Sequence, residues 1–201
     1  MDLHSREINQ DVRELGELLG EIITEQGSES AFETVERIRT AAIDYRRGDA
    51  EDRTAVREAL DGLSAEEQDV VARAFTTYFE LINLAEERQR VREIREGAQE
   101  GTLEDSVQAA VEELAARDLS ADTVEGILDD VLIQPTFTAH PTEARRKTVK
   151  AKLRAVSARL RELDEHRLTD PEQTDVERDL EAEVTSLWQT PQVRDRRPEV
   201  T

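Results

Sequence analysis

The chain has 201 residues, 37% hydrophobic and 37% charged, with 47 acidic against 27 basic side chains and a formal charge of −20. That length holds one sizeable domain or two small ones, and the apolar content suffices for a real core, which excludes a disordered tail. There is no cysteine, which excludes disulfides, thiolate catalysis and cysteine-based zinc sites.

Aromatic residues make up only 3%, and the apolar positions are mostly Leu, Val, Ile and Ala, a profile that predicts a mainly α fold. Only three of the basic residues are lysines, Lys147, Lys150 and Lys152. Carboxylate excess with scarce lysine suits a salty cytoplasm, where ions screen the self-repulsion, although a merely solvated acidic surface has the same composition. No charged start with an apolar run follows Met1, and no stretch approaches the roughly 18 apolar residues of a membrane span, so a soluble cytoplasmic protein is expected.

Along the chain, residues 3–26 carry Ile8, Val12, Leu15, Leu19, Ile22 and Ile23 on one helical face, stopped by Gly27. Gly16 and Gly20 cost that helix propensity and suggest that another backbone packs closely there. Ser30 and Glu33 read as a capping box for a helix through Phe32, Val35, Ile38 and Ala42, ending near Gly48. A short helix is expected around Val56 and Leu60. A second capping box, Ser64 with Glu67, opens the longest helix, through Val71, Phe75, Phe79, Ile82 and Ala85 into EERQRVREIRE. After Gly97 and Gly101, residues 103–116 form an amphipathic helix on Leu103, Val107, Val111 and Leu114, and Ser120 caps a short one on Val124, Ile127 and Leu128.

The pattern changes at VLIQPTFTA, residues 131–139, where apolar, β-branched and aromatic residues crowd a short window around Pro135 and predict a strand. Thr142 is placed to cap a helix from about Glu143 to Arg167, with Val149, Leu153, Val156, Leu160 and Leu163 inward. Asp170 with Pro171 signals a last helix through Val176, Leu180, Val184 and Leu187 to Trp188. Residues 1–130 thus read as a helical region and 131–201 as a strand, a turn and the helices that follow.

A strand, tight turn and helix put the turn where α/β folds keep their chemistry and where helix amides favour anions. His140 lies in that turn and can exchange protons near neutral pH. Arg146 can clamp a carboxylate or phosphate through paired hydrogen bonds. A histidine can also simply cap a strand end, and a basic run can be a solvated helix face; periodicity leaves both readings open. His4, near a fraying terminus, and His166, near a helix end, suggest no role.

The stretch FTAHPTEARRK resembles the first signature of the phosphoenolpyruvate carboxylase family, in which Thr-Ala-His-Pro-Thr-Glu is followed by two variable residues, an arginine and a further basic residue. Every fixed position is present, with Ala144 and Arg145 in the variable places and Arg146 and Lys147 in the basic ones. ELGELLGEIITEQG, ARAFTTYFELINLAEERQRVR and SLWQTPQVRDRRPEVT are similar to further family segments, so the likeness covers nearly the whole chain. It implies carboxylation of phosphoenolpyruvate by bicarbonate, giving oxaloacetate and phosphate, with magnesium or manganese. It assigns His140 to catalysis and Arg146 and Lys147 to supporting anion attraction. It implies a homotetramer of complete subunits, built on a TIM-type barrel.

Such a barrel takes about 250 residues, and a single strand preceded by 130 residues of helix cannot close one. The expectation is therefore a fragment containing the N-terminal helical part and the first barrel strand, inactive alone, with metal ligands in the part of the family chain beyond it. A noncatalytic helical interaction module is the alternative. Nucleic-acid binding through the cluster from Arg145 to Arg154 is opposed by the charge of −20 and the lack of an aromatic stacking platform.

Overall fold

The computed structural model describes residues 4–49, 52–103, 106–117, 119–135, 147–165 and 167–191. Among them the regular elements are eight helices: α1 (Ile8–Gln26), α2 (Glu29–Arg47), α3 (Thr54–Leu60), α4 (Ala65–Glu100), α5 (Val107–Ala116), α6 (Ala121–Asp129), α7 (Lys147–Glu165) and α8 (Asp170–Trp188). The mainly α expectation holds. The chain divides into two units, Met1–Gln89 with Arg145–Thr201, and Arg90–Ala144. These boundaries differ from the sequence division at residue 130, which concerned the start of a barrel.

In the first unit, α1 buries Leu15, Leu19, Ile22 and Ile23, the stripe its periodicity predicts. Helices α7 and α8 pack antiparallel, as the pairing of Lys152 with Glu183 at 3.3 Å and of Arg159 with Asp179 at 3.6 Å shows. Val149, Leu153, Val156 and Leu160 meet Leu180, Val184, Leu187 and Trp188 in the buried core. Each such side chain contributes about 1.5–3 kcal/mol on leaving water. At the shared C-terminal ends of α1 and α8, the Gln189 amide donates to Gln26 at 2.7 Å. The Arg73 guanidinium of α4 lies 5.3 Å from the centre of the Trp188 ring.

Several expectations change in detail. Helix α2 is capped by Ser28, whose hydroxyl accepts from the Ala31 amide at 3.1 Å, while Ser30 lies inside the first turn. The earlier start brings Glu29 to the positive end of the helix dipole. Helix α8 is likewise opened by Thr169 rather than Asp170: the Glu172 carboxylate accepts from the Thr169 amide at 2.8 Å and its hydroxyl at 2.7 Å. The Ser64–Glu67 box forms as expected, with the Glu67 amide donating to the serine hydroxyl at 3.3 Å. Gly97 falls within α4, which stops at Gly101 in the left-handed region, φ +70°, with the Thr102 amide closing back on the Gly97 carbonyl at 2.9 Å.

What faces Gly16 and Gly20 is not backbone but aromatic ring. A Cβ at Gly20 would stand 2.9 Å from Phe32, and one at Gly16 3.7 Å from Tyr78. Phe79, expected inside, is 56% exposed, because the buried stripe of α4 runs through Ala74, Leu81, Leu84 and Ala85.

In the second unit, α5 begins at Val107 rather than Leu103, and Leu103 instead covers Gly97. Neither α5 nor α6 buries a residue. Residues 131–135, expected as the start of a strand, are irregular, with Leu132 and Ile133 more than four-fifths exposed. A strand needs a neighbour for its amides and carbonyls, and none pairs with this segment among the described residues. The rest of that expected strand, 136–139, lies outside them.

Candidate functional site

The described part of the candidate site begins where α7 begins. Lys147 is its first residue, exposed to solvent, and Val149 two positions on is buried, which fixes which side of the helix faces the core. The basic face of α7 is partly engaged by α8, since the Lys152 ammonium pairs with Glu183. His140, Thr142 and Arg146 lie outside the described residues, as does His166. Of the signature, the structure thus describes Lys147, the first residue of α7.

His4 departs from its expectation. Its side chain is 3% exposed, and its Nδ1 lies 3.1 Å from the Asp164 carboxylate, itself fully buried. Asp164 also accepts from the Ser5 and Arg6 amides, both at 3.2 Å, and from the Arg88 guanidinium at 3.2 Å. Arg88 reaches Glu165 at 3.7 Å as well. Beside this cluster the Arg6 guanidinium donates to Asp11 at 2.7 Å and to Glu14 at 2.5 Å. Burial opposes the charge on Arg6, but the two carboxylates outweigh it and hold its pKa raised. Burial likewise pushes Glu14 up, and hydrogen bonds from Arg6 and Gln10 more than offset it, leaving its pKa lowered.

Sequence reasoning missed this cluster, although a signal exists. Asp164 stands four residues after Leu160 and Asp11 four before Leu15, so each puts a carboxylate on an apolar stripe, where only a converging set of donors makes burial tolerable. The cluster ties the segment ahead of α1 to the C-terminal end of α7, and α7 to α4. A separate groove of about 710 Å³ lies among α1, α2 and α4, lined by Val12, Gly16, Gly20, Phe32, Phe75 and Tyr78 among others, and includes no signature residue.

Among the described residues no three His, Asp or Glu side chains converge in a way that could hold a metal ion. The magnesium or manganese implied by the resemblance thus finds no ligand set in them. No helix among them is long and apolar enough to cross a membrane.

Comparison with known proteins agrees with the signature. Residues 8–201 match the family described as phosphoenolpyruvate carboxylase. The chain is 40% identical over 203 residues to the phosphoenolpyruvate carboxylase of Roseiflexus castenholzii, covering 98% of this chain and 21% of that protein. It is 39% identical over 198 residues to that of Paraburkholderia xenovorans, covering 94% and 19%. With the Thermus thermophilus protein of the same name the identity is 40% over 190 residues, covering 92% and 21%. The chain spans about a fifth of the length of these curated relatives. With the family matched from α1 through the signature and α8 to the last residue, the chain belongs to the phosphoenolpyruvate carboxylase family.

Proposed function

We propose that the chain supplies the signature histidine and the flanking cations for carboxylation of phosphoenolpyruvate by bicarbonate, giving oxaloacetate and phosphate. The observation that carries this is the family match through residues 137–148, where every fixed position of the signature stands in order. In the reaction, bicarbonate takes the phosphoryl group to give carboxyphosphate and the pyruvate enolate, and the enolate then attacks carbon dioxide released from carboxyphosphate. His140 takes the proton from carboxyphosphate and favours its breakdown, a general-base role suited to an imidazole at neutral pH. Arg146 and Lys147, the latter the first residue of α7, attract the anionic substrate and complement the charge that develops on it.

In the same reading, residues 1–130 are a helical region beside a TIM-type barrel and 131–201 open that barrel. The working enzyme is a cytoplasmic homotetramer that uses magnesium or manganese. Its acidic, lysine-poor surface is adapted to concentrated salt, and stability that rises with molar potassium chloride is the expected sign.

The test is His140→Asn placed at the matching position of a complete homologous chain and assayed by coupled oxaloacetate formation. A loss of about 10²–10⁴-fold in kcat is expected for removal of a general base, and unchanged carboxylation would overturn the role. The 201-residue polypeptide alone is expected to show no turnover in the same assay.

A further inference from the structure

Residues ahead of a first helix ordinarily fray. Here three consecutive ones, His4, Ser5 and Arg6, each bring a ring or amide nitrogen to the same carboxylate, 160, 159 and 158 positions away. The Ser5 hydroxyl adds bonds to the Leu163 and Asp164 carbonyls at 3.4 and 3.2 Å. Asp164 lies in the last turn of α7, where a negative charge opposes the helix dipole, and its side chain is fully out of water. A carboxylate there does nothing for the helix that carries it; it serves the donors that converge on it.

We infer that residues 4–6 are a strap that opens and closes on the C-terminal end of α7 as one unit, anchored by the Asp164 carboxylate. The charged and titratable groups around that anchor include His4 and Arg6 on the strap, Arg88 on α4 and Glu165 on α7. Lifting the strap strands none of them. Arg6 keeps Asp11 and Glu14, both on α1; Arg88 keeps Asp164 and Glu165; His4 enters water.

The closed state carries a cost of its own. His4 Nε2 and Arg88 Nε are buried without a hydrogen-bond partner among the described residues. Such balance is what permits local opening well below the free energy of global unfolding. The strap also walls a pocket of about 490 Å³ whose other sides are Gln10, Leu163, Arg167, Leu168 and Gln173. Opening the strap opens that pocket.

Native-state amide exchange on the 201-residue chain, read residue by residue with increasing urea, tests this. Ser5 and Arg6 should be protected together, with an opening insensitive to low urea, while Leu19 and Val156 exchange only through global unfolding. Protection of Ser5 and Arg6 no greater than in an unstructured peptide would overturn the inference, and so would their exchange through global unfolding alone. Asp164→Ala should speed the two strap amides by at least roughly tenfold, the loss expected for charge-assisted bonds, without giving Leu19 or Val156 a faster local route. Strap exchange unchanged in Asp164→Ala would remove the anchor. If that variant does not fold, the urea dependence of the unsubstituted chain decides.

Discussion

The two units of the chain are built from helices of similar sequence character and end up in opposite conditions. In the first, α1, α2, α4, α7 and α8 contribute to a buried core that includes Leu15, Ile22, Leu81, Val156 and Leu187. In the second, among the described residues, none of the hydrophobic side chains from 90 to 144 is buried, and Val107, Val111, Leu128 and Leu132 are all more than half exposed. Yet α5 and α6 have sound serine caps, with Ser106 accepting from Ala109 at 3.0 Å and Ser120 from Thr123 at 3.2 Å. A capped amphipathic helix is therefore a necessary condition for a core and not a sufficient one. Most helical stability comes from a face that finds a partner.

The sharpest way to break this comparison is to truncate one side chain in each unit. Leu160→Ala removes a fully buried side chain of α7 and should cost about 2–5 kcal/mol in urea unfolding, transfer and cavity together. Leu132→Ala, at a position 81% exposed, should change stability by no more than about 0.5 kcal/mol. Equal losses would mean that the second unit has a core of its own.

Acidification acts through the first unit. Glu67 is held below the ordinary glutamate pKa by hydrogen bonds from the Ser64 hydroxyl and amide, Glu172 by those from the Thr169 amide and hydroxyl, and Glu14 by Arg6 and Gln10 against its burial. A carboxyl whose folded pKa is lowered stabilises the fold above its unfolded value and loses that contribution as pH falls through the folded one. Thermal stability should therefore decline from about pH 4.3, the ordinary glutamate value, downward. Glu172→Gln should flatten that part of the profile, and an unaltered profile would show that the capping box contributes nothing at equilibrium.

How much was legible beforehand follows from which forces are local. The core stripes of α1, α7 and α8 were readable because helical periodicity alone decides which side can be buried. The caps of α2 and α8 shifted because serine or threonine and acidic residues stand next to one another at both starts, so several registers compete within a few tenths of a kcal/mol. Residues 131–135 have strand composition, but pairing is nonlocal, and composition cannot supply a neighbouring strand. Asp164 escaped notice for the same reason, since its partners at positions 4–6 and 88 are far away in sequence. The candidate site was legible through a fixed motif instead: periodicity left His140 open, whereas the order of residues from Thr138 to Lys147 identified the family. Of those residues the structure places Lys147, at the first position of α7.

The caps sharpen the comparison at smaller magnitude. Ser64→Ala loses the cap of α4, which carries buried Val71, Ala74 and Leu81, and should lower global stability by about 1 kcal/mol. Ser106→Ala removes an equivalent bond from α5, a helix with no buried residue. It should reduce local helicity, seen as faster amide exchange within α5, while the urea midpoint of the first unit stays where it is. A shift of that midpoint would mean that α5 is energetically coupled to the first unit's core.

The smallest effect separates two glycines of one helix. Replacing a helical glycine with alanine gains about 0.5–1 kcal/mol through the unfolded chain's lost freedom, provided that the methyl group fits. At Gly16 it fits, because its nearest neighbour would be Tyr78 at an ordinary 3.7 Å. At Gly20 the methyl would meet the Phe32 ring at 2.9 Å, so the ring must move and the shift offsets the gain. Gly16→Ala should raise the urea midpoint and Gly20→Ala should raise it less or lower it. Equal gains would show that the half-buried Phe32 yields freely, in which case Gly20 is not needed to seat α2 against α1.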